Sequence, residues 1–157
     1  MDFGAVEQQI ATHLLTKITD ADIDIVAIPE EDIEVAPRFG RRKIIVAFIS
    51  EESDPDENIS IVSQDVNITF AVLLQGKLLR GENGLYPLAE RVKKALIGFT
   101  PNDCRKLTYS SHKFVKNENK IFEYVLDFKT ISTRVEDISD ETSTALFKQA
   151  TYIPISE

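Results

Sequence analysis

Gln64-Asp65-Val66-Asn67-Ile68-Thr69-Phe70-Ala71-Val72-Leu73-Leu74 is the stretch that decides the fold class. Val66, Ile68, Phe70, Val72 and Leu74 fall on one side, and Asp65, Asn67 and Thr69 on the other. Strict alternation of this kind marks a strand with one face on a core. Upstream, residues 42–50 are a β-branched and aromatic run, expected to be a central strand covered on both faces. The acidic stretch from Glu51 to Asn58 between them carries Pro55 and reads as an exposed loop. Farther back, residues 22–28 alternate as a short strand ended by Pro29, and residues 29–41 read as a connecting loop. Phe3, Val6, Ile10, Leu14 and Ile18 recur at helical spacing, which predicts a helix over 3–18 capped by Asp2.

Downstream, the glycines at 76, 81 and 84 mark a loop. A helix follows with Leu85, Leu88, Ala89, Val92 and Leu96 as its buried stripe, Asn83 as the expected cap and Gly98 as a left-handed stop. Residues 107–115 and 121–131 read as a hairpin turning at Asn117 to Asn119, with Phe122, Tyr124, Leu126 and Phe128 on one face. In the tail, residues 144–150 suit a short helix and Tyr152 onward an extended segment. The expectation is an α+β fold: a mostly antiparallel sheet with two helices packed on one face. Residues 1–136 form the domain, and 137–157 a C-terminal extension expected to be an interaction segment.

Bulk properties narrow the function. The 157 residues suit one domain, and 43% hydrophobic with 28% charged residues is ordinary globular composition. The longest apolar run, Ile44 to Ile49, is far short of the roughly 20 residues a membrane helix needs. The N-terminus has no basic stretch followed by an apolar one, so no secretory signal is expected. A single cysteine, Cys104, points to a reducing birthplace in the cytoplasm. A net charge of −8 disfavours nucleic-acid binding, which depends on neutralising phosphates.

Residues that could carry chemistry do not combine into a site. Asp20, Asp22, Asp24 and Glu31 approach a calcium-loop spacing, but Ile25 stands where the loop needs glycine. The solvent face of a strand is the better reading. Glu51, Glu52, Asp54, Asp56 and Glu57 read as a solvated or assembly-related loop rather than a hard-cation site. His13 and His112 lack partners at metal-site spacing, and Ser111 beside His112 faces the other way along a strand. Arg105 and Lys106 would lower the pKa of Cys104, yet no base is positioned beside it. The glycines at 76–84 match no phosphate-binding loop. The expectation is a non-enzyme with no metal and no cofactor.

What remains is a charge pattern. Arg38, Arg41, Arg42 and Lys43 lie at the start of the 42–50 strand, and Glu51, Glu52, Asp54, Asp56 and Glu57 lie just past its end, about 25 Å away. Two solvated loop ends would explain this, and so would a polar protomer whose basic side meets the acidic side of the next copy. On the second view, reversing Arg41 and Arg42 to glutamate leaves the fold intact and impairs assembly.

The N-terminal helix, Lys43-Ile-Ile-Val-Ala-Phe48, Gln64-Asp-Val-Asn-Ile-Thr-Phe-Ala-Val72, the helix exit Val92-Lys-Lys-Ala-Leu-Ile-Gly98-Phe99 and Phe122-Glu-Tyr-Val-Leu-Asp-Phe128 carry a resemblance over residues 3–131. In their order the chain resembles the tail-terminator (tail-completion) proteins of Mu-like contractile-tailed bacteriophages. The resemblance implies a virion structural protein: a hexameric ring at the head-proximal end of the tail. Such a ring caps the tail tube, ends its polymerisation and joins the tail to the neck. Its partners would be itself, the tube, the sheath and the neck or connector proteins, with DNA passing through unbound and no membrane involved. Another neck or head–tail connector ring, or a cytoplasmic ligand-binding or regulatory α+β domain, is the alternative.

Overall fold

The computed structural model describes residues 1–30, 37, 40–53 and 63–135. Helix α1 spans Phe3–Lys17, strand β1 Ile23–Ala27, β2 Arg42–Ser53, β3 Ser63–Gly76, α2 Leu85–Leu96, β4 Thr108–Glu118 and β5 Ile121–Val135. Among the described residues the strands form one five-stranded sheet in the order β1-β2-β3-β5-β4. Only β1 with β2 is parallel. Parallel neighbours need a long return connection, which accounts for the length of chain between Ala27 and Arg42. The α+β architecture is as expected, with one change of order: β3, not the 42–50 run, is the middle strand.

The alternation of β3 sets the layers. Ile44, Val46 and Phe48 stand in register with Leu74, Val72 and Phe70 on one face. Leu126 and Phe128 continue that row on β5. The helices cover this face, adding Val6, Ile10 and Leu14 from α1 and Leu85, Leu88, Ala89, Val92 and Leu96 from α2 to a single core. On the opposite face Ile45 and Ala47 are also buried, as expected for a strand covered on both sides.

Helix ends follow local chemistry. The Asp2 carboxylate accepts the Ala5 amide at 3.1 Å, the cap expected from sequence. At α2 the cap is Gly84, not Asn83, and no side chain caps it. A Cβ at Gly84 would collide with the carbonyl of Leu79, so the tight 79–84 turn selects glycine there. Gly98, at φ +88°, ends the helix as anticipated.

Two strand limits differ from expectation. Glu51, Glu52 and Ser53 are not loop: they extend β2 in register with Ile68, Asn67 and Val66. A bulge at Ile49 precedes them and leaves Ile49 55% exposed. Beside it, the amide of Phe48 donates to the Glu7 carboxylate of α1 at 2.7 Å. The hairpin turns at Asn119-Lys120, both with positive φ, one step beyond the expected turn. Edge strand β4 carries two further register shifts, at Tyr109/Ser111 and Phe114/Lys116, and the lysines Lys113 and Lys116.

Candidate functional site

The basic start of β2 is tied into the domain. Strand alternation turns Arg42 towards the helix side, where it is 5% exposed. Its Nε donates to Asp22 at 3.0 Å, and its Nη2 reaches Asp20 and Asp22 at 3.2 Å each. Arg91 of α2 closes the cluster with two bonds to Asp20, at 2.6 and 2.9 Å. Arg41, on the other side of the strand, makes a two-pronged pair with Asp24 at 2.7 and 3.0 Å. These contacts hold the Asp20 carboxyl down to about 2, through the Arg91 hydrogen bonds first, and lower Asp22 through Arg42. The aspartates that resemble a calcium loop are therefore arginine clasps joining β1, β2 and α2. Glu31 lies outside the described residues.

This corrects the expectation that reversing Arg42 spares the fold, because the side chain is buried among carboxylates it neutralises. Lys43 is half-buried, in register with Gln75 on the face away from the helices. Arg38 lies outside the described residues, as do Asp54, Asp56 and Glu57. Of the acidic group, Glu51 is held by Arg134 at 2.8 Å and Glu52 is exposed on the strand. The tail expected at 137–157 also lies outside the described residues.

The residues weighed for catalysis are occupied by packing. His13 stacks on Phe99 at 4.0 Å and its Nε2 lies 3.0 Å from the Ala95 carbonyl, fastening α1 to the end of α2. Ser111 donates to Asp127 at 3.0 Å, whereas His112 meets the ring of Tyr124 at 5.3 Å. Burial, then the charge of Lys93, pushes His112 below its ordinary pKa, with Glu90 opposing. For Cys104 the expected direction is reversed. Burial and Asp103 raise its pKa and outweigh the opposing effect of Arg134. Among the described residues no group of three or more His, Cys, Asp or Glu is placed to hold a metal ion. No described helix is long and apolar enough to cross a membrane.

Sequence reasoning missed the outer half of the sheet. Helix α1 packs on β1 and β2, and α2 chiefly on β3, so the helix layer thins towards β4, which it meets through Lys93 over Tyr109. Rings gather in the space left. Tyr124 is ringed by Tyr86 at 5.8 Å, Phe114 at 5.5 Å and His112, and the Tyr86 and Tyr124 hydroxyls lie 3.3 Å apart. Phe114 is 55% exposed and Tyr109 41%, with Lys93 4.8 Å above the Tyr109 ring. Arg80 lies 5.9 Å from the Tyr86 ring centre. An aromatic surface flanked by cations is suited to covering by another protein. The signal was present in Tyr109, Phe114 and Tyr124 of the hairpin, but only the position of α2 shows how much of Tyr109 and Phe114 stays exposed among the described residues.

The family described as Gp37 protein matches residues 10–153. The chain belongs to this family. The match runs from within α1 through every strand and into the C-terminal segment. A comparison with curated proteins finds no match. Among solved structures, a chain from the "Virion of native gene transfer agent (GTA) particle" is similar at 17% identity and a TM-score of 0.44. That likeness covers 83% of this chain and 92% of the other, and by itself assigns no function.

Proposed function

We propose that this member of the Gp37 protein family is a structural protein of a bacteriophage-type virion, a tail terminator that caps the tail tube as a ring. The observation that carries the reading is the aromatic face of β4 and β5, where Phe114 and Tyr109 stay exposed among the described residues, a surface suited to contact between proteins. The order of helices and strands agrees with the resemblance to tail terminators, and the family match supports a phage-type protein. Capping needs surfaces of matched shape and charge and no bond-making step. Six copies at −8 each carry about −48, so a lumen bearing much of that charge repels passing phosphates instead of binding them. Tube, sheath and neck proteins are the partners in this reading. The ring sits at the head-proximal end of the tail, with Lys43, Glu52 and the 137–157 extension among its contacts.

The test is to purify the chain and add it to polymerising tail-tube protein. Native mass should show a species near six times 17.7 kDa, about 106 kDa, alone or at the tube end. Tubes should stop lengthening. A chain that stays single and leaves tube length unchanged would overturn the proposal. Phe114→Ser should weaken capping while the melting temperature falls only slightly, because the side chain is 55% exposed and its described ring contact is with Tyr124.

A further inference from the structure

At the end of the sheet where β3 passes into the 77–84 loop, the face away from the helices holds a polar pocket. Gln75 and Glu123 are cross-strand partners there, 5% and 7% exposed. They line a cavity of about 330 Å³ together with Lys116, Glu118 and Ile121. Gln75 Nε2 donates to Glu123 Oε2 across a long 3.4 Å. Lys116 Nζ stands 3.9 Å from that same oxygen and closer, at 3.2 Å, to Glu118. Gln75 Oε1 is buried with no hydrogen-bond partner. Turning the amide over does not help: it would orphan the N–H groups and set an oxygen against the carboxylate.

A buried acceptor without a donor is costly, and native proteins rarely leave one unmet. Glu118 and Glu123 against Lys116 leave the described lining with one net negative charge. Among the described residues the lining therefore lacks a cation with several N–H groups free to reach that acceptor. A guanidinium fits, since its fork can bridge a carboxylate and an amide oxygen together.

The same chain presents such a group. Among the described residues, Arg41, Arg42, Arg91, Arg105 and Arg134 each hold a carboxylate, and Arg38 lies outside them. Arg80 is exposed on the loop that follows β3 and, among the described residues, its contact is with the Tyr86 ring. Tyr86 packs with Tyr124 on the helix side of the sheet. Arg80 and the pocket thus occupy the same end of the domain but opposite faces.

We propose that the Gln75–Glu123 pocket receives the Arg80 guanidinium of a second copy of this chain. The contact is heterologous, front of one copy to back of the next, and repeats around an axis where the rotation closes. It rests on the self-association proposed above and names the residues that carry it.

The experiment measures self-association of the full chain by sedimentation, with and without tube protein, for wild type, Arg80→Ala, Glu123→Gln and the double variant. Each single change should weaken association about tenfold or more, and the double no further than the worse single. Arg80→Lys, which keeps charge and loses the fork, should fall between. Arg80 lies in an exposed loop, so its variants remain informative even if Glu123→Gln fails to fold. Single effects that simply add would overturn the pairing. Association at wild-type strength in Arg80→Ala would empty the pocket of this role while leaving the ring intact. Wild type that stays monomeric with tube present would remove the ring and the pocket contact together.

Discussion

Arg41 and Arg42 are neighbours in sequence, and replacing each by glutamate should give two very different proteins. Arg42 makes three charge-assisted hydrogen bonds, at 3.0, 3.2 and 3.2 Å, from a side chain 6% exposed. Bonds of this type contribute about 1.5–3 kcal/mol each. The sum is reduced by three circumstances. Asp20 and Asp22 keep 31% and 43% exposure to water, Asp20 keeps Arg91, and Arg42 Nη1 is itself buried without a partner. Against that, glutamate adds a third carboxylate to the cluster. The net expectation for Arg42→Glu is a loss of about 3–5 kcal/mol, a large share of the stability of a domain this size. Its melting temperature should fall by roughly 10 °C. Arg41→Glu breaks a solvent-screened pair and should melt close to wild type. Urea titration followed by circular dichroism at neutral pH measures both. Equal stability of the two variants would refute the placement of Arg42 between the aspartates.

Three further outcomes follow from described geometry. Because Asp20 is held near 2 and Asp22 is lowered, the unfolded chain binds more protons than the folded one between about pH 4 and pH 2. Their contribution is whole above that window and is lost as pH falls through it, so melts of wild type should drop more steeply than those of Asp20→Asn. Identical slopes would contradict this. Gly84→Ala sets a methyl against the Leu79 carbonyl and should cost about 1–3 kcal/mol by thermal melt; an unchanged melt would show that the turn relaxes freely. Cys104, with its pKa raised by burial and Asp103, should react with a thiol reagent near pH 8 more slowly when folded than in urea. Equal rates would show an accessible, unperturbed thiol.

Much of the fold was legible because burial imposes a period. Val66 to Leu74 carried the middle strand, and the Leu85 to Leu96 stripe is buried residue for residue as read. The failures share a cause, namely contacts between residues distant in sequence. Asn83 has the better capping side chain, yet the approach of Leu79 gave the position to Gly84. Glu51 to Ser53 look like loop until Val66 to Ile68 are set beside them. The difference between Arg41 and Arg42 was partly readable, since Asp20, Asp22 and Asp24 precede a strand that runs parallel to the one they open. The aromatic face was not, because its exposure depends on where α2 ends its coverage.

The guarded edge of β4 has a consequence for how copies can accumulate. Two bulges and the lysines Lys113 and Lys116 interrupt the flat row of amides and carbonyls that an incoming strand would need. Strand-by-strand growth into fibres is therefore disfavoured on that side. In the ring proposed above, copies meeting at this edge would join through side-chain surfaces, where the number of members is set by geometry and not by supply.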